Sequence, residues 1–334
     1  MRLSAVVTTY NGRALLGPCL ESLLAQTRPL DEIVVVDDAS PDDDAAFVRE
    51  RFPAERYPVV RVLRLSQNLG HAGAAAAGVA ATRGELVALV NNDAAPDPDW
   101  LEQAVPAFAQ PGVGSVATRL VRQDQPEVLD SAGDAYTVVG HAFKGREGER
   151  DPGEQDPREV FSACAGAAVL RRAAYDAAGG LRSELQAYYD DVDLGFRLRL
   201  AGYTCVYVPA ARCRHRVSAS YGRGSFRQLA LTSRNQAFVW WADMPAALLL
   251  RYLPEHALFF ALQVVSRLFQ GGLLPLLAGK AEALARLPLL LRLRRDAQSR
   301  LGPGGGGSLR SALEALWLRP GVADFRRRYF AGRS

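Results

Sequence analysis

The chain has 334 residues, enough to bury one large α/β core with an appendage, or two ordinary domains. With 49% hydrophobic and 23% charged residues it reads as folded and globular, which excludes a long disordered chain. The formal net charge of +4 is carried almost wholly by arginine, Lys144 and Lys280 being the only lysines, and no arginine-rich segment is interleaved with aromatics, so no nucleic-acid partner is expected.

Leu3–Thr9 reads as a buried strand, and Asn11-Gly12 as a turn into a helix over 14–26 with leucines at helical spacing. Glu32–Val36 repeats the strand pattern and halts at Asp37-Asp38; a further strand is expected near 59–65. An alanine-rich helix over 72–82 closes at Gly84, and a strand over 86–90 ends at Asn91-Asn92-Asp93. This alternation predicts a mostly parallel sheet flanked by helices, with ligands beyond the C-terminal strand ends, where these acidic groups fall.

From about 111 to 159 the sequence is irregular and rich in Gly, Asp and Arg, and is read as loops and short strands over the site. Regularity returns at 161–170, followed by a helix over 192–201, a strand over 204–208 and a basic loop over 212–216. The catalytic domain is expected to span 1–220 and a helical extension 221–300. A Gly-rich linker over 301–308 and a short basic tail helix over 309–334 complete the chain. The extension holds no uninterrupted apolar span of the ~18–20 residues a membrane-crossing helix needs. Two readings stay open for it: interfacial amphipathic helices meeting anionic lipid through Arg286, Arg292, Arg294 and Arg295, or helices packed on the catalytic domain or in a homodimer. The first apolar segment is too short for a signal-peptide core, and the four cysteines form no CxxC pair. A cytoplasmic location is therefore expected, with peripheral contact on the inner face of the cell membrane as a candidate addition.

Several residues have the chemistry of a site. The turn Thr8–Gly12 lacks GxGxxG, which disfavours a dinucleotide cofactor. Asp37-Asp38 at a strand end suit a base or ribose, or a solvated turn capped by Ser40. Asp93, with Pro96 and Pro98 fixing its loop, suits a divalent cation held against a diphosphate. Tyr188-Tyr189-Asp190-Asp191-Val192-Asp193 puts three carboxylates at a helix start, where they serve either as caps or, if their roles separate, as a general base for a hydroxyl nucleophile.

Taken in order, Val6-Val7-Thr8-Thr9-Tyr10-Asn11, Val36-Asp37-Asp38-Ala39-Ser40, Asn68-Leu69-Gly70, Asn91-Asn92-Asp93 and Asp190-Asp191-Val192-Asp193 resemble the family 2 glycosyltransferases, over roughly residues 2–216. Within that family the strand ending in Asn-Asn-Asp resembles the rhamnosyltransferase-like group. The resemblance implies a GT-A type nucleotide-diphospho-sugar-binding fold with a C-terminal helical extension. It implies transfer, with inversion, of rhamnose or another hexose from a nucleoside-diphosphate sugar to a saccharide or lipid-linked acceptor in cell-surface polysaccharide assembly.

By position, the resemblance assigns Thr8, Tyr10 and Asp38 to the nucleotide and Asn68 to the ribose or diphosphate. Asn92, Gly166 and Asp190 fall to the nucleotide-sugar site, Asp93 and His215 to Mg2+ or Mn2+, and Asp191 to the catalytic base. Gly166 is equally read as part of a tightly packed turn and His215 as a surface residue, while Arg223, Arg234 and Asn235 are expected near the diphosphate. Asn91 departs from the usual Asp-x-Asp, which leaves Asp93 and the donor diphosphate as the main metal ligands. A metal-dependent nucleotidyltransferase is the alternative enzyme, but its Gly- and Lys/Arg-rich first loop is missing from Thr8–Gly12. A non-catalytic membrane-associated subunit is the third reading, opposed by the intact Asp190–Asp193 cluster.

Overall fold

The computed structural model describes residues 1–216, 224–302, 309–310 and 312–313. The expected boundary at 220, Arg223, the linker from 303 and the tail helix beyond 313 lie outside the described residues.

The elements in chain order are β1 (Leu3–Thr9), α1 (Arg13–Leu24), β2 (Glu32–Asp37), α2 (Asp44–Arg51), β3 (Val60–Arg64), α3 (Gly70–Ala81), β4 (Leu86–Asn91), β5 (Ala94–Pro96), α4 (Trp100–Ala104), β6 (Val113–Arg122), β7 (Leu129–Ala132), β8 (Asp134–Tyr136) and β9 (Ala142–Lys144). They continue with β10 (Arg158–Val160), β11 (Ala167–Arg171), α5 (Arg172–Ala177), α6 (Asp190–Leu200), β12 (Thr204–His215), α7 (Phe226–Asp243), α8 (Ala246–Gln270), α9 (Leu273–Ala285) and α10 (Leu287–Ser299).

The main sheet runs β10-β12-β6-β11-β4-β1-β2-β3. β3, β2, β1 and β4 are mutually parallel, and β11 is the antiparallel strand wedged between β4 and β6. The continuous Ile33–Val36 run is buried on both faces, with Val35 packed toward α1 and Val34 and Val36 toward α3. α3 approaches the sheet closely because Gly78 leaves room for Val6 and Val36, whose methyl groups would lie 2.4 and 2.8 Å from an added Cβ.

Two expectations are corrected. The stretch from 111 to 159 includes β6, a ten-residue strand inside the sheet that pairs with β11 and β12. The residues read as a basic loop at 212–216 continue β12 as far as His215, after a register shift between Val208 and Arg212. Beyond that irregularity β12 keeps its pairing with β6 and adds β5 on its other side, so that His215 pairs with Ala94, next to Asp93.

The extension shares core with the catalytic part: Tyr136, Phe161 and Phe196 pack in one cluster with Trp240, Met244 and Tyr252. Arg182 joins the two through charge, its Nη1 donating to Asp193 (2.7 Å) on α6 and Asp243 (2.9 Å) on α7, and its Nη2 to Asp296 (3.2 Å) on α10. Arg197 closes the network on Asp193. α8 is, by length and composition, apolar enough to cross a membrane, although Arg251, Glu255, His256 and Arg267 interrupt its apolar run. It nevertheless lies along the domain, where His256 stacks on Trp240 (ring centroids 3.6 Å apart) and meets the Val139 carbonyl through Nδ1 at 2.8 Å.

Candidate active site

A cleft of about 960 Å³ opens at the C-terminal ends of β1, β2 and β4. Thr8, Tyr10, Asp38, Asn68, Asn92, Asp93, Gly166, Asp190, Asp191 and His215 all line it. The site residues expected from sequence thus come together in one place, although they are contributed by segments up to two hundred residues apart.

The floor is built by backbone capture. Asp44, fully buried at the start of α2, accepts from Thr9 Oγ1 (2.7 Å), Gly12 N (2.8 Å) and Ser40 Oγ (3.1 Å), which fixes the turn after β1. Gly12 is required there, since a Cβ would lie 1.9 Å from the Asn92 amide nitrogen. Asn92 uses that amide on Thr9 Oγ1 at 3.1 Å. Asp38 accepts from the Leu69 and Gly70 amides at 2.7 and 2.9 Å, so its carboxylate holds the Asn68-Leu69-Gly70 turn against the end of β2. Burial pushes its pKa up in spite of those two bonds. Tyr10 stands exposed at the rim.

On the opposite wall, Asp190 and Asp191 begin α6. Asp190 pairs with His71 Nδ1 at 2.7 Å, and the other ring nitrogen of His71 meets Asn91 Oδ1 at 3.1 Å. Burial opposes charge on His71, but the Asp190 carboxylate outweighs it and raises the pKa to about 9. The Asn91 side chain is therefore tied to His71, which links the end of β4 to the start of α6. Asp191 is half-buried and accepts from the Ala165 amide at 3.2 Å and the Val192 amide at 2.8 Å. Burial, and then the Asp190 charge, raise its pKa to about 6. An acid poised there is ionised at neutral pH yet basic enough to take a proton from a hydroxyl in a transition state.

The loop before α6 bends through Gln186, Tyr188 and Tyr189, all at positive φ. Asn235 holds it, its amide nitrogen lying 2.7–2.8 Å from the carbonyls of Leu185, Ala187 and Tyr188. Arg234 donates to Glu184 O and Leu185 O. Both side chains are buried, so the expectation that they reach a diphosphate is corrected: they support the loop before α6 from behind.

At the end of β12, His215 Nδ1 lies 2.8 Å from Asp130 Oδ2, which also accepts from Lys144 Nζ at 2.8 Å. His215 Nε2 lies 3.2 Å from Asp93 Oδ1, yet neither atom makes an aligned hydrogen bond. With Nδ1–H donating to Asp130, Nε2 turns a lone pair toward a carboxylate oxygen, and two facing acceptors call for a cation. Without one, a proton serves: burial opposes charge on His215, but the Asp130 and Asp93 carboxylates beside it raise its pKa to about 9. These two donors, one imidazole and one carboxylate, fit Mg2+ or Mn2+. Among the described residues no three His, Cys, Asp or Glu converge on one point, so a cation held here would take its remaining ligands from diphosphate and water. Gly166 keeps space open here, an added Cβ reaching 3.5 Å from His215 Nε2.

His71, Asp44, Asp130 and Lys144 were not singled out from the sequence. His71 had a signal, directly following Asn68-Leu69-Gly70 at a helix start; Asp130 and Lys144, on short strands in the irregular stretch, had none.

A mostly parallel sheet with carboxylates at the ends of β2 and β4, continued by β11, β6 and β12, and a carboxylate-led helix beside the cleft is the arrangement of the GT-A glycosyltransferase fold. A mannosyltransferase of Pyrobaculum calidifontis, solved with GDP-Man and Mn2+, shares this fold at a TM-score of 0.54 and 22% identity, over 94% of this chain and 85% of that one. So does GalNAc-T7, solved with UDP, GalNAc and Mn2+, at a TM-score of 0.59 and 16% identity, over 77% of this chain and 54% of that one. The chain belongs to glycosyl transferase family 2, whose model matches residues 4–179. That match ends before Asp190, Asp191 and His215. An uncharacterized protein of Sinorhizobium fredii is 34% identical over 66% of this chain, which spans only 25% of that protein's length. The N-acetylglucosaminyl-diphospho-decaprenol L-rhamnosyltransferase of Mycobacterium tuberculosis is 29% identical over 72% of this chain and 84% of its own.

Proposed function

We propose that the protein transfers rhamnose or another hexose from a nucleoside-diphosphate sugar to a hydroxyl of a saccharide or lipid-linked acceptor, with inversion, in cell-surface polysaccharide assembly. The observation that carries this reading is the division of labour across one cleft: Asp191, with a pKa of about 6, on one wall, and Asp93 Oδ1 and His215 Nε2 facing each other at 3.2 Å without an aligned hydrogen bond on the other. The relatives agree with it, since the mycobacterial protein is by name a rhamnosyltransferase acting on a polyprenyl diphosphosugar, and one structural neighbour was solved with a nucleotide sugar and Mn2+.

In this reading Thr8, Tyr10, Asp38 and Asn68 surround the nucleotide at the ends of β1 and β2. Asn92, Gly166 and Asp190 border the sugar. Asp93 and His215 would hold Mg2+ or Mn2+, which offsets the charge gained by the departing diphosphate. Asp191 takes the proton of the acceptor hydroxyl while that oxygen forms its bond to the anomeric carbon from the face opposite the diphosphate, whose C–O bond breaks. His71 keeps Asp190 engaged, which leaves Asp191 as the carboxylate free to act.

Calorimetry with UDP, dTDP and GDP, with and without Mn2+, tests the donor half without knowledge of the acceptor. One of the three is expected to bind, and only with the metal present. Failure of all three would overturn the reading.

A further inference from the structure

The extension has its polarity inside out. Along α8, Gln263 and Ser266 are 2% exposed and point into the protein, where Gln263 meets Gln236 of α7. On α9, Lys280 turns inward to Ser233 O and Gln236 Oε1 at 3.1 and 2.9 Å. The outward faces are apolar: among the exposed positions of α8 and α9, only Arg251 and Gln270 carry polar side chains. Phe269 is 82% exposed, Leu274 73% and Leu250 70%. A 25-residue helix is about 37 Å long, so this face is far larger than the scattered apolar residues of an ordinary surface.

The face also has a direction. The turn between α8 and α9 packs by Gly272 against Leu229, an added Cβ lying 3.5 Å from its methyl group. One helical turn earlier on α7 stand Phe226, itself exposed, and Arg227, which lines the cleft. The most exposed end of the apolar face therefore borders the cleft mouth. The acids of α8 and α9 are only half-exposed, Glu282 pairing with both Arg234 and Arg286, while Arg251 on α8 and Arg295 on α10 are exposed cations.

We infer that the α8–α9 face docks in the headgroup region of a bilayer bearing anionic lipid, apolar side chains down and arginines on phosphates, with the cleft mouth held at the membrane surface. Charge favours this occupant over a second copy of the chain, which would set the same arginines against each other. α8 lies in the interface rather than across it, because its inner face stays bound through His256 and Gln263. The inference rests on the proposed transferase reading only in that it selects lipid-linked acceptors over soluble ones.

The test is co-sedimentation of the full chain with phosphatidylcholine vesicles, with and without phosphatidylglycerol, beside light scattering for oligomeric state and nucleotide calorimetry in solution. The wild type is expected to bind the anionic vesicles most strongly. The pair Leu268→Glu and Phe269→Glu, at exposed positions, should weaken vesicle binding by about a hundredfold while leaving metal-dependent nucleotide binding and the circular dichroism spectrum unchanged. Arg251→Gln should lower only the salt-sensitive part. A soluble dimer that the paired substitution splits, with no vesicle binding, would assign the face to a second copy and overturn the inference. Absence of both vesicle binding and dimer would also overturn it, and nucleotide binding retained in either case would leave the transferase reading standing.

Discussion

Asp191 offers the sharpest test because its environment sets both a magnitude and a pH window. Burial and the neighbouring Asp190 raise its pKa to about 6, so its ionised fraction falls from near unity at about pH 7 to about one tenth at about pH 5. kcat/KM should fall about tenfold over that interval, with no matching loss of donor affinity, since the base touches the acceptor. Asp191→Asn keeps the hydrogen-bonding shape beside Ala165 and removes the proton acceptor, so turnover should drop about 10²- to 10⁴-fold while nucleotide Kd stays within about twofold. The charge on His71 lowers the Asp191 pKa, so His71→Asn should move the acid limb to higher pH. A coupled assay of diphosphate release, once the donor is identified by calorimetry, reads all three. Unchanged turnover in Asp191→Asn, or an acid limb that does not respond to His71→Asn, would refute the assignment of the base.

Asp130→Ala removes the acceptor that orients His215, so Mn2+ affinity measured by electron paramagnetic resonance should fall about 10- to 100-fold with the fold intact. Asn235→Ala leaves buried carbonyls of the 185–188 loop without a donor; urea unfolding should show a loss of about 1–3 kcal/mol, and turnover should fall with it. Burial lowers the His256 pKa from 6.5 to about 4, so folding favours its neutral form. Its contribution is present above the unfolded value of 6.5 and is lost as pH falls toward 4, on the order of 3 kcal/mol, and His256→Phe should flatten that part of the stability profile.

The strands that could be read in advance are those buried on both faces. β1, β2 and β4 have continuous β-branched or leucine-rich runs ending in polar residues, and that pattern leaves little choice of structure. β6 escaped because its sequence, VGSVATRLVR, mixes Gly114, Ser115, Thr118 and Arg119 with valines. Thr118 and Arg119 find partners outside the strand, Thr118 Oγ1 accepting from the Trp100 indole at 2.9 Å and Arg119 donating to Asp151. The same holds in the site. Asp93 and Asp191 stand at element ends where local pattern marks them, whereas Asp130 acquires its role only when β7 and the end of β12 flank β6. Arg234 and Asn235 look like ligand-binding residues by type; only burial beneath the 183–189 loop distinguishes a support from a contact.

The Arg182 junction has a consequence for how this enzyme can be dissected. Cutting the chain after β12 would remove Asp243 and Asp296 from the Arg182 network and leave Asp193 alone to balance both Arg182 and Arg197, on a surface stripped of α7 and α10, at a cost to stability. The penalty would fall on α6, whose first turn supplies Asp190 and Asp191. A shortened protein that neither sediments with lipid nor turns over would thus report a damaged α6, and surface substitutions on the intact chain are the cleaner instrument.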